Sequence, residues 1–166
     1  MKKASSRLLA ALLAIVVCGC SPDRVYDEYH PTPMKGWEKT EPVVFHVPPV
    51  SEAGDYRVEI GLRTTMEFPF TTLILAVAQE VFPSVSPSPS VSVIPRSHST
   101  FLTCRLIEDN GRSKGNGLSI QQHSFPADTL RLQAGDSLVV SVRHDMKREI
   151  LPGVCDVGMT LTPIRR

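Results

Sequence analysis

The stretch YRVEIGLRTTMEFPFTTLILAVAQ, residues 56–79, decides the fold class. Tyr56, Val58, Ile60 and Leu62 alternate with Arg57, Glu59 and Arg63, the period-two signature of a strand with one wet face. After Phe-Pro-Phe, both faces of residues 72–79 are apolar: Leu73, Leu75 and Val77 against Ile74, Ala76 and Ala78. That pattern predicts a central strand covered on both sides.

The same alternation extends in both directions. Val43, Phe45 and Val47 flank polar His46 before Pro48-Pro49 stops the strand. Leu102, Cys104 and Leu106 share a face and run into the turn signal Asp109-Asn110-Gly111. Leu118 and Ile120 mark a weak segment, and Leu130 and Leu132 a clearer one. Leu138, Val140, Val142 and His144 alternate cleanly, as do Cys155, Val157, Met159 and Leu161. About eight strands and no helix predict an all-β chain, a two-sheet β-sandwich of jelly-roll type.

The N-terminus reads differently. Lys2, Lys3 and Arg7 precede ten apolar residues, 8–17, the order of a secretory signal. The run is too short for a membrane span, which takes about 20 residues. Cys18 and Cys20 have no nearby Cys or His to complete a metal set. Val17-Cys18-Gly19-Cys20 resembles a bacterial lipobox, with small Gly19 just before Cys20. Cys20 is therefore expected to carry lipid, palmitate included, at the mature N-terminus. The expected layout is a signal peptide over 1–19, a lipid-anchored tether over 20–40 and a sandwich over 41–166. Tyr26, Tyr29 and Trp37 would pin the tether to the sandwich.

Losing Lys2, Lys3 and Arg7 leaves 15 Lys+Arg against 17 Asp+Glu, with no basic stripe for nucleic acid. Residues 83–99, alternating Ser, Val and Pro, read as an extended, solvated loop. Cys104 and Cys155 are both expected to face the core in a compartment that permits disulfides. There they could bridge, or stand as two separate thiols.

Gly135-Asp136-Ser137-Leu138 spells the GDSL signature of a large esterase family. In that family the acid and histidine follow far downstream, whereas here Ser137 opens a strand close to the chain's end. His144 and Asp145 are neighbours on a strand and point to opposite faces. Histidines at 30, 46, 98, 123 and 144 have no metal-ligand spacing. No catalytic residue, metal or cofactor is expected, and no ligand-binding residue is assigned.

Five stretches recur in a telling order: VYDEY at 25–29, Trp37 before PVVFHV, the 56–75 portion of the opening stretch, RLIEDNGR at 105–112 and LPGVCDVGMTL at 151–161. Together they resemble the GldH family of gliding-motility lipoproteins. The resemblance implies a lipid-anchored component of the cell envelope, at the outer membrane. It also implies partners in the gliding and type IX secretion machinery, and brings no catalytic residues. The alternative is a carbohydrate-binding sandwich lipoprotein, which would require exposed aromatics converging on one face.

Overall fold

The computed structural model describes residues 24–84 and 94–165. The expected signal peptide, Cys20 and the middle of the Ser/Pro-rich segment lie outside the described residues. Strands run at β1 (Tyr26–Pro31), β2 (Trp37–Glu38), β3 (Val43–Val47), β4 (Gly54–Thr65) and β5 (Thr72–Phe82). They continue at β6 (Arg96–Arg105), β7 (Ile120–Leu132), β8 (Ser137–His144), β9 (Ile150–Leu151) and β10 (Val154–Pro163). One four-stranded sheet has the order β1-β10-β4-β7, the other β3-β8-β5-β6, and β2 pairs with β9.

The pairings explain the architecture. β1 pairs antiparallel with β10, β3 with β8, β4 with β7 and β5 with β6. These four pairs are nested in sequence, so the chain is one long hairpin rolled into two layers. Joining β10 to β4 and β5 to β8 completes each sheet. That is a jelly roll of eight long strands. The all-β sandwich expected from the alternation is the observed fold.

The core sits between the layers. Tyr56, Val58, Ile60 and Leu62 of β4 face Leu138, Val140 and Val142 of β8 and the inward side of β5. Each such side chain contributes about 1.5–3 kcal/mol on leaving water. The polar residues between them line the outer faces, as period-two alternation requires.

Four sequence expectations change. First, the segment taken as tether contains β1, hydrogen-bonded along its length to β10, and β2. Trp37 is fully buried and donates through Nε1 to the Glu41 carbonyl at 2.8 Å. The sandwich therefore begins at Tyr26, because two short, Pro-interrupted strands carry little alternation of their own. Second, β5 is covered on one side only. Leu73, Leu75 and Val77 are buried, while Ile74, Ala76 and Ala78 form part of an outer surface. Small alanines, not a second layer, account for the apolar character of that face.

Third, the segments around Ile120 and Leu130 are one strand, β7. Its register jumps from Asp128 opposite Val58 to Pro126 opposite Glu59, leaving Ala127 as a bulge. Proline is tolerated there because β7 is a sheet edge and bulged. Fourth, Cys155 does not share the inward face of Val157 and Met159. It is the extra residue of a bulge, with Val154 paired to Thr64 and Asp156 to Arg63. Thr32 closes that bulge by donating through Oγ1 to the Val154 carbonyl at 2.6 Å.

Candidate functional site

The Asp-Ser-His elements are separated by the fold. Asp136 lies in the turn between β7 and β8 and is only 2% exposed. Its carboxylate accepts the backbone N–H of Ser84 at 3.1 Å and of Gln133 at 2.9 Å, and meets Arg96 Nη2 at 3.4 Å. It is the knot tying the β7–β8 turn to the end of β5. Ser137 opens β8 and His144 closes it, seven residues and about 23 Å away along the strand. His144 is buried and bonds the Trp37 carbonyl through Nε2 at 3.0 Å, with the two rings edge to face. Asp145 turns outward to Lys39 at 3.5 Å and Arg143 at 3.6 Å. The fold therefore keeps His144 away from Ser137.

The other histidines are dispersed. His30 stacks on Phe45, His46 is exposed on β3, and His98 lies 3.5 Å from Asp128 on the rim. His123 is buried on β7, with Nε2 at 3.5 Å from Thr64 Oγ1 and no hydrogen-bond partner at Nδ1. Burial lowers the pKa of both His123 and His144 below the ordinary range. No group of three or more His, Cys, Asp or Glu side chains able to hold a metal occurs among the described residues.

Cys104 and Cys155 stand as free thiols. Cys104 faces the core from β6 in one sheet, and burial pushes its thiol pKa up to about 12. Cys155 stands on the bulge of β10 in the other sheet, half-buried.

The aromatic residues do not converge. Tyr26, Trp37 and Tyr56 belong to the core. Tyr29 lies on the outer face of the first sheet, where Gly61 and Gly158 leave room for its ring and Arg63 covers it at 4.0 Å. Phe101 is exposed on the outer face of the second sheet, beside a shallow cavity of about 200 Å³ bordered by Ala76, Ala78 and Arg143. A wider cleft of about 570 Å³ follows the seam of β6 and β7, with Arg105, Lys114 and Asn116 on its walls. These are open surfaces suited to contact.

The sequence signals were sufficient to doubt the GDSL motif, but not to find the role of Asp136. A Gly-Asp turn ahead of a strand hints at a capping carboxylate; its long-range partners Ser84 and Arg96 are set by the roll alone.

Residues 24–161 match the family described as GldH lipoprotein. The gliding motility lipoprotein GldH of Flavobacterium johnsoniae is 35% identical over 157 residues, covering 90% of this chain and 91% of that protein. Among solved structures, Eiger TNF from S. frugiperda is similar at a TM-score of 0.30 and 12% identity, covering 84% of this chain and 87% of that one. That likeness is too slight to carry an argument, and the jelly-roll assignment rests on strand order.

Proposed function

The chain belongs to the GldH lipoprotein family, and from that premise we propose that it is a lipid-anchored, non-catalytic contact component of gliding and type IX secretion machinery. Cys20 carries the lipid, and the outer membrane is the surface it occupies. Two or more acyl chains make such an anchor stable, whereas one gives only marginal binding. The partners are envelope proteins, with no nucleic acid, cofactor or small-molecule substrate.

The observation that carries the non-catalytic reading is the employment of Asp136 and His144 in holding turns and core together, about a strand's length apart. The burial of Tyr26, Trp37 and Tyr56 in the core, with Tyr29 left by itself on an outer face under Arg63, favours protein contact over sugar binding. The test is a deletion strain complemented with variants and scored for gliding or type IX cargo release. Cys20→Ala is expected to lose palmitate labelling and function, while folded Ser137→Ala and His144→Gln retain function. Rescue by Cys20→Ala together with failure of folded Ser137→Ala would overturn the reading in favour of an esterase.

A further inference from the structure

The two ends of the sandwich differ. β1 begins at Tyr26, opposite Leu161, so the lipid-bearing residue joins the end where connections 48–53 and 133–136 lie, β5 stops and β6 starts. The far end is built from connections 32–42, 66–71, 106–119 and 145–153. Met34 is fully exposed there, Leu118 is 94% exposed and Met66 72%, joined by half-exposed Ile120 and Ile150. All five stand at or beside this end. Thr65, the neighbour of Met66, pairs with Ile120; Gly153 abuts Phe68, two residues past Met66; and Gly36, two residues past Met34, abuts Ile150.

We infer that this far end docks a protein partner that presents an apolar groove with a mixed-charge rim. The inference rests on the lipid-anchored reading of Cys20. Residues 21–25 reach at most about 20 Å, and the sandwich is about 36 Å long from the span of β4. The tips thus point away from the anchoring membrane. The four far-end connections hold six Lys and Arg against seven Asp and Glu. Such a rim gives no attraction to an anionic lipid surface, which recruits clustered basic residues. It does match the polar border around an apolar centre at protein interfaces, where methionine is enriched. Unbranched Met34 and Met66 can adjust to a groove without strain.

The test uses the full lipidated chain in its own envelope. A benzophenone amino acid is placed at 34, 66 or 118, with 57 and 101 on the two outer sheet faces as controls. In parallel, the Met66→Asp, Leu118→Asp double variant is scored in the deletion strain for gliding or cargo release. Both sites are so exposed that stability should hold within about 0.5 kcal/mol, which urea unfolding checks. Support requires two results together. A protein adduct of one discrete mass must form at the far-end sites, absent from the controls and lost in the Asp background. Function must also fall about tenfold or more, as for loss of an interface centre, with palmitate labelling unchanged. Adducts to phospholipid, adducts of twice the chain's own mass, or full function in the Asp variant each overturn the proposal. If the Asp variant keeps function while Cys20→Ala loses it, only the docking surface fails. If Cys20→Ala keeps function, the anchored reading fails and takes the orientation argument with it.

Discussion

Asp136 is the residue on which most depends for its size. Removing its carboxylate leaves the Ser84 and Gln133 N–H groups without an acceptor and Arg96 without its counter-charge. Buried donors left unsatisfied cost about 1–3 kcal/mol each. Asp136→Ala should therefore lower stability by about 2–4 kcal/mol in urea unfolding, and neighbouring Ser137→Ala by under about 0.5. An unchanged midpoint for Asp136→Ala would remove it from the architecture. The buried histidines predict a pH response with a definite sign. Their folded pKa values lie below the unfolded value of about 6.5, chiefly through burial. The unfolded chain then binds more protons, so stability falls as pH drops below about 6.5 towards the folded values. Above that window the contribution is complete. Comparing urea midpoints at pH 7.5 and 5.5, the decline should shrink in His123→Gln. The free thiols give a third expectation. In the chain lacking residues 1–20, a thiol reagent should label Cys155 natively and Cys104 only in denaturant. A chain with no reactive thiol in either state would mean that the two are bridged.

At the scale of elements, β1 is held by more than its ladder. The Tyr29 side chain lies over Gly61 of β4 and Gly158 of β10, and a Cβ would come to 2.3 Å from its hydroxyl at Gly61 and 2.5 Å from its ring at Gly158. Gly158→Ala should displace the ring and cost about 1–3 kcal/mol, as overpacking does, with faster amide exchange in β1 than in β4. Exchange unchanged in β1 would show that the ring does not fasten the strand. Legibility followed the same division. β3, β4, β8 and most of β10 were readable because alternation survives wherever one face meets the core and the other water. β1 was missed because its buried positions are few and its pairing partner lies at the other end of the sequence. β7 was split because Pro126 and the bulge at Ala127 interrupt the period. The far-end surface left only scattered Met, Leu and Ile in the sequence. The roll alone gathers them.

For the whole molecule, the nested hairpin puts the start of the first strand and the end of the last at the same pole of the sandwich, with Tyr26 opposite Leu161. This arrangement has a mechanical meaning. A load between residue 20 and a partner gripping the opposite pole runs along the strands, and β1 is dragged lengthwise against β10. All six register pairs of that ladder then resist at once, in shear. A load between residues 20 and 166 instead pulls the two strands apart from one end, breaking the pairs one after another like a zip. Single-molecule pulling through residues 20 and 118 should accordingly need a higher rupture force than pulling through 20 and 166, and equal forces would contradict it. A domain tied to a membrane at one pole and to moving machinery at the other would be stressed along its strong axis.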